Sequence, residues 1–320
     1  MPYVIGVDVG GTKIAGAIVD AQGTTSPPCT VPTPSREGSE AVVSTLASLI
    51  NQLRRDAERT GHTIDAVGIG SAGVIDSSRG VVVSATDSIR GWTGTQLTTE
   101  VTRRTGLQST AINDVHAHAL GESWLGAGSG ADTVLFIGMG TGVGGGYVLQ
   151  GQCLQGATFT AGHVGHFAAP LAYDHGVPLP CSCGGAGHVE AIASGPAILS
   201  AYQRLGGDIA RDTRAVYRLA AQGDILAARA LDRGAIAAGQ AIGGLANIFD
   251  PHVVVVGGGL AGAGPLWWDA MEQAARTELL HPLAALPILP ARLGETAAIR
   301  GAARRALELT TSTERHHVHS

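Results

Sequence analysis

A chain of 320 residues, 44% hydrophobic and only 15% charged, carries enough apolar material for one large or two medium cores, which excludes a disordered or coiled-coil class. The net charge of −5, without a run of like charges, argues against a nucleic-acid footprint. Four cysteines in this length do not make a disulfide framework; with no signal peptide and no apolar run of about eighteen residues, a cytoplasmic protein that engages no membrane is expected.

The chain opens on a β-rich run over 3–9, the turn Gly10-Gly11-Thr12-Lys13 and a second β-rich run over 14–19, which together predict a hairpin. The segment 6–13 is not a Walker loop: Thr12 separates Gly11 from Lys13 and strand-like residues follow, where that motif needs adjacent Gly-Lys and a helix. A Pro-rich connection (Pro27, Pro28, Pro32, Pro34) leads to an amphipathic helix over 39–60. Val43, Leu46, Leu49, Ile50 and Leu53 mark its apolar face and Gly61 supplies the stop. A strand over 66–70, the turn Ser71-Ala72-Gly73 and a β run over 81–83 follow. A strand ending at Ile112 then opens a helix reaching about Leu125. Asn113 caps that helix and places Asp114 in its first turn, where the dipole favours the ionised carboxylate.

Residues 133–150 repeat the layout of 3–20. Gly10 falls on Gly140 and Gly16 on Gly146, an offset of 130 residues, which suggests two similar lobes gripping a nucleotide between two phosphate loops. Beyond residue 190 helices dominate, one capped by Ser194 with Pro196 in its first turn and an Ala-rich one over 225–248. The run 252–256 reads as a fully buried strand, and Gly257-Gly258-Gly259 follows at its carboxyl end, where ligands bind in open α/β sheets. A closing helix is expected over 295–309. The terminal His316, His317 and His319 are set aside as a frayed end.

Several residues carry chemistry, each with a plainer reading beside it. His166, Cys181, Cys183 and His188 have the ligand types of a tetrahedral structural zinc site; alternatively the loop holds two buried thiols and unrelated histidines. Asp8 before Gly10-Gly11-Thr12 suits a carboxylate near a magnesium–phosphate complex, with backbone amides and the Thr12 hydroxyl on phosphate oxygens, or is an ordinary turn Asp. Gly140-Thr141-Gly142-Val143-Gly144-Gly145 precedes the strand-like Tyr147-Val148-Leu149 rather than a helix, which favours a phosphate hairpin over a dinucleotide fingerprint. Asp114 is the residue chosen as general base for phosphoryl transfer to an alcohol; its plainer role is to serve the helix dipole. Asn113 beside it can pair with a sugar hydroxyl in both directions, and Glu190 lies two residues after His188.

Taken together, these stretches resemble the ROK family (repressor, open reading frame, kinase) of sugar kinases, within the actin-like, hexokinase-like superfamily. The resemblance covers essentially the whole chain. It rests on Asp8-Val9-Gly10-Gly11-Thr12-Lys13, Asn113-Asp114, the run 140–146, AGHVGH with CSCGGAGHVE, and the run 255–259. It implies an α/β fold of two actin-like (ribonuclease H-like) lobes, 1–112 with 298–320 and 113–297, with a nucleotide and sugar cleft between them and the zinc loop on the second lobe. It implies ATP as donor, held by Asp8, Gly10, Gly11, Thr12, Lys13, Gly140, Thr141, Gly142, Gly257, Gly258 and Gly259, with Mg2+ near Asp8. Asp114 would deprotonate the sugar 6-hydroxyl, and Gly73, Asn113, Asp114, His163, His166 and Glu190 would line the sugar pocket. Structural Zn2+ would bind His166, Cys181, Cys183 and His188, and His166 would face both zinc and a sugar hydroxyl. A homodimer is also implied.

Three positions depart from the family pattern. His188 stands where most members carry a third Cys, His116 where many carry Asn, and His163 where glucokinase-like members carry Glu. A His at the last position resembles the bacterial N-acetylmannosamine kinases; a neutral imidazole can donate to an acetamido carbonyl, whereas an ionised Glu only accepts. The expected activity is therefore 6-phosphorylation of a hexose, foremost N-acetylmannosamine, with glucose as the alternative. A sugar-sensing repressor would need an N-terminal helix-turn-helix for which Asp8 leaves no room. A nicotinamide dehydrogenase would need a strand–GxGxxG–helix unit with an acidic residue about twenty further on.

Overall fold

The computed structural model describes residues 1–317, with side chains described through residue 310. In chain order the first part comprises β1 (Tyr3–Val9), β2 (Lys13–Asp20), β3 (Cys29–Pro32), α1 (Ser39–Arg59), β4 (Ile64–Ser71), β5 (Val74–Asp76), β6 (Val81–Ser84), α2 (Leu97–Thr105), β7 (Gln108–Asn113) and α3 (Asp114–Leu125). There follow β8 (Thr133–Met139), β9 (Val143–Leu149), β10 (Gln152–Cys153), β11 (Tyr173–Asp174), β12 (Val177–Pro178), α4 (Glu190–Ala193), α5 (Gly195–Arg204), α6 (Thr213–Ala221) and α7 (Ile225–Phe249). The chain closes with β13 (Val253–Gly257), α8 (Pro265–Glu278), β14 (Ile288–Pro290) and α9 (Ala297–His317). The terminal histidines set aside above lie outside the residues whose side chains are described.

The chain forms two compact units. The first comprises Met1–Ser129, Gly151–Ala161 and Leu293–Ser320, the second Gly130–Gln150 and Gly162–Arg292. Contacts therefore group α3 with the first unit, because it packs along α9, whereas the lobe limits expected from the sequence divide the chain between residues 112 and 113.

In the first unit the sheet order is β3-β2-β1-β4-β7, with β1 antiparallel to β2 and parallel to β4, and β4 parallel to β7. Successive side chains of a strand point to opposite faces, and the two faces of β1 are used differently. Ile5, Val7 and Val9 join the core under α1 and α2, while Val4 packs with Ile299, Ala303 and Ala306 of α9. Gly6 and Gly68 share the α9 face, and their lack of a side chain is what lets that helix lie against the sheet. A Cβ there would stand 2.1 Å from the Ile299 carbonyl oxygen and 1.8 Å from that of Ala302.

Within the second unit the sheet runs β9-β8-β13-β14, again with one antiparallel hairpin and parallel neighbours beyond it. Leu135, Ile137, Met139, Val254 and Val256 face a core built with α4 through α8. Side-chain caps from Ser194, Asp212 and Asp224 start α5, α6 and α7.

The repeated hairpin is present with one adjustment. Val9 pairs with Ile14 in the first hairpin and Met139 with Val143 in the second, so the second turn is one residue shorter. Gly10 thus corresponds to Gly140, but the counterpart of Gly16, which faces Val7, is Gly145, which faces Ile137, and not Gly146. The closing helix begins at Ala297, after a 3-10 turn over Gly294–Thr296, and runs beyond Leu309. Among the described residues no helix is long and apolar enough to cross a membrane.

Candidate active site

In the first unit the register of the parallel strands brings the acidic residues to one end of the sheet. Asp8 lies opposite Gly70, and Ser71 opposite Asn113, so the carboxyl ends of β1, β4 and β7 are level. The β1–β2 turn closes through a Gly10 N–H bond to the Lys13 carbonyl at 3.0 Å, and the Thr33 hydroxyl donates to the Gly10 carbonyl at 2.7 Å. Lys13 turns to Glu295, Nζ to Oε1 2.7 Å, in an exposed ion pair.

Asn113 starts α3 and spends both ends of its amide. Its Oδ1 accepts from the backbone N–H groups of Val115 (2.9 Å) and His116 (3.2 Å). Its Nδ2 donates to the Gly73 carbonyl and to Asp114 Oδ1, each at 2.9 Å. Asp114 is half-buried. Burial pushes its carboxyl up to about 6, against the lowering pull of the Val115 N–H, its own N–H and the Asn113 amide. At Asp8 burial, and next the Asp114 charge, raise the carboxyl to about 7, with Lys13 pulling the other way. Burial resists ionisation of both acids, and the Asp114 charge adds to that resistance at Asp8, an arrangement suited to a cation.

The second unit builds its glycine turn from another set of ties. Gly140 N–H bonds the Gly142 carbonyl at 2.9 Å, and the Gly140 carbonyl accepts from Gly195 N–H at the start of α5, at 2.8 Å. The buried Glu190 carboxylate accepts from Val143 N–H at 2.9 Å through Oε2, while its Oε1 accepts from the Ser182 hydroxyl. The turn after β13 packs against this one. Gly258, at φ 85°, leaves no room for a Cβ, which would stand 2.3 Å from the Met139 carbonyl oxygen. A cavity of about 850 Å³ opens beside the two turns, lined by Thr141 and Gly259 on one side and by Arg211, Arg214, Tyr217 and Arg218 of the α6 region on the other. These arginines form no ion pair among the described residues. They were not among the residues expected to bind; Arg214 and Arg218, one turn apart on the exposed side of α6, with Arg211 just before its Asp212 cap, were the available signal.

The loop over 161–190 brings His166, Cys181, Cys183 and His188 together, with ligand atoms all within 4.8 Å of one another. Cys181 Sγ lies 3.6 Å from His166 Nδ1, and Cys183 Sγ lies 3.3 Å from His188 Nδ1. A tetrahedral zinc with its usual bond lengths separates nitrogen and sulfur ligands by about 3.5 Å, so the set fits one metal ion. The tight Cys181-Ser182-Cys183 spacing is accommodated by a turn in which Cys181 N–H bonds the Gly185 carbonyl at 2.9 Å. His163 is exposed, its ring centroid 6.2 Å from that of His166.

Residues 4–308 match the profile of the ROK family. The chain belongs to the ROK family. Glucokinase from Thermotoga maritima is 32% identical over 314 residues, covering 94% of this chain and 96% of the relative. N-acetylmannosamine kinase from Escherichia coli is 36% identical over 255 residues, 79% of this chain and 82% of the relative. A crystal structure of a ROK family glucokinase from Streptomyces griseus in complex with glucose and AMPPNP is similar with a TM-score of 0.79 and 31% identity, covering 96% and 99% of the two chains. The fold expected from the sequence, α/β with the actin-like architecture of ROK sugar kinases, is therefore the fold of this ROK protein.

Proposed function

We propose that this ROK-family enzyme, an ATP-dependent sugar kinase, transfers the γ-phosphoryl group to the 6-hydroxyl of a hexose, with N-acetylmannosamine preferred. The observation that carries the reading is Asp114. It heads a helix, is oriented by Asn113 and has a pKa raised to about 6, which suits a general base working near neutral pH. Asp114 accepts the hydroxyl proton as the alkoxide oxygen attacks phosphorus in line, and ADP leaves. Magnesium, held near Asp8, would neutralise charge on the phosphates. The amides of the 10–13 and 140–142 turns cradle the phosphate oxygens, and the cavity beside Gly257, Gly258 and Gly259 takes the adenosine. Lys13 gives one ammonium N–H to Glu295 and keeps two for a phosphate.

Gly73, Asn113, His163, His166 and Glu190 are proposed to hold the sugar. His163 supports the N-acyl preference, because an exposed neutral imidazole can donate to an acetamido carbonyl. Glucose is the second reading, favoured by the longer coverage of the Thermotoga maritima glucokinase. The four-residue His/Cys cluster is proposed to hold a structural zinc that orients His166 through Nδ1, leaving Nε2 for a sugar hydroxyl. A homodimer in the cytoplasm completes the proposal, to be checked by light scattering and fractionation. The deciding experiment is ADP release with magnesium-ATP across hexoses and N-acetylhexosamines. Turnover of N-acetylmannosamine above glucose is expected; glucose alone being turned over would overturn the substrate, and no turnover of any sugar the reaction itself.

A further inference from the structure

His116 is the third residue of α3, two positions after Asp114, and its side chain is 2% exposed. Its backbone N–H is held by the Asn113 cap, so the ring leaves the helix from a fixed point. The ring Nε2 lies 2.7 Å from the carbonyl oxygen of Ala161. A carbonyl only accepts, so this contact requires the tautomer with hydrogen on Nε2. Ala161 is the last residue of the segment Gly151–Ala161 that the first unit contributes before the chain passes to Gly162 and His163. That segment is anchored elsewhere too. Ala161 N–H bonds the Gln155 carbonyl at 3.1 Å, the Ser77 hydroxyl bonds the Gln155 side chain, and Gln152 meets Glu308 at 3.3 Å. His116 is the anchor at its downstream end, two covalent steps before the first proposed sugar ligand.

We propose that His116 is a positioning residue for the sugar: its Nε2–H bond to the Ala161 carbonyl fixes where the sugar-contacting loop begins, relative to the first turn of α3. The proposal rests on the reading of Asp114 as base and His163 as sugar ligand. The residue type matters because of reach. Imidazole Nε2 is four bonds from Cα, as is the amide nitrogen of Gln, whereas that of Asn is three. A shorter donor at this position must draw Ala161 towards α3 or give up the bond, so the length of the side chain sets the seat of the loop. Leu keeps comparable volume but donates nothing, leaving a part-buried carbonyl without its partner.

The test is steady-state kinetics on His116→Leu, His116→Gln and His116→Asn, varying sugar and magnesium-ATP separately, with thermal unfolding of each variant. His116→Leu is expected to raise the KM for sugar about tenfold while the KM for magnesium-ATP stays within about twofold. His116→Gln should return the sugar KM to within about threefold of the parent, with His116→Asn between the two. A sugar KM unchanged in His116→Leu, an equal rise in both KM values, or a Gln variant no better than Leu would each overturn the proposal. If His116→Leu does not fold, the Gln and Asn pair decides, and equal sugar KM values overturn it. Deuterium exchange over residues 155–163 separates this from the functional reading. Faster exchange in His116→Leu, restored in His116→Gln, is expected of the anchor even if the parent protein turns over no sugar, a result that would remove the kinase reading and the sugar role alone. Unchanged exchange removes the anchor.

Discussion

The amide of Asn113 stands 2.9 Å from the Asp114 carboxylate while its oxygen caps the helix that Asp114 begins. One side chain therefore fixes both the start of α3 and the aim of its first acid. Replacing Asp114 by Asn removes the proton acceptor and leaves the cap in place. The expected result is a fall in kcat of about 10²–10⁴-fold, with thermal stability at neutral pH kept or raised, because a carboxyl whose burial resists ionisation is removed. Because the base works only when ionised, kcat/KM of the parent enzyme should fall as pH drops through about 6 and level off above it. Rate measurements from pH 5 to about 8 check both, and a flat profile would remove Asp114 from the chemistry.

Asp8 makes a prediction about stability. Burial, and next the Asp114 charge, push its carboxyl in the folded protein from the usual 3.8 up to about 7. Between those values the folded state holds a proton that the unfolded chain has released, so stability declines as pH rises through this window and is lowest above about 7. Asp8→Asn should lessen the decline, leaving the part that Asp114 contributes below about pH 6, and raise the melting temperature of metal-free protein at about pH 8 by several degrees. Added Mg2+ should protect the parent protein and not the variant. Calorimetry at two pH values, with and without Mg2+, reads each arm.

The cysteine loop predicts close to one equivalent of zinc per chain in protein purified without a His tag. Cys181→Ser or Cys183→Ser should lower the metal content by more than about half and reduce the melting temperature, and a chelator should do the same to the parent. Elemental analysis beside thermal unfolding provides the check, and a metal-free parent of unchanged stability would dismiss the zinc.

His163→Glu exchanges a ring that can donate for a carboxylate that only accepts. The ratio of kcat/KM for N-acetylmannosamine to that for glucose should fall by about 10–200-fold. Competition between the two sugars in one reaction measures the ratio directly. An unchanged ratio would place the preference elsewhere in the pocket.

Much of this protein was legible because its signals are local. The cap at Asn113, the β-rich runs flanking Gly10 and Gly140, and the buried run before Gly257 each declare themselves within a few residues. The long helices were legible from apolar spacing, whereas α6, only nine residues long, and α8 went unread although their apolar residues do recur at helical spacing. What stayed hidden depends on contacts between distant segments. Glu190 holding Val143 N–H, Lys13 engaged by Glu295 and His116 reaching Ala161 span 47, 282 and 45 positions. Turn length was hidden as well. A difference of one residue moved the partner of Gly16 from Gly146 to Gly145, because glycines at neighbouring positions match equally well when only spacing is counted.

The closeness of α9 to Gly6 and Gly68 has a temporal consequence. The face of β1 and β4 that this helix covers cannot be shielded until Ile299 and Ala302 have left the ribosome, by which time every residue of the second unit has already emerged. The amino-terminal sheet is the first to be synthesised and the last to be sealed, so a nascent chain carries an exposed apolar surface through most of its translation and completes its parts in the reverse of the order in which they begin.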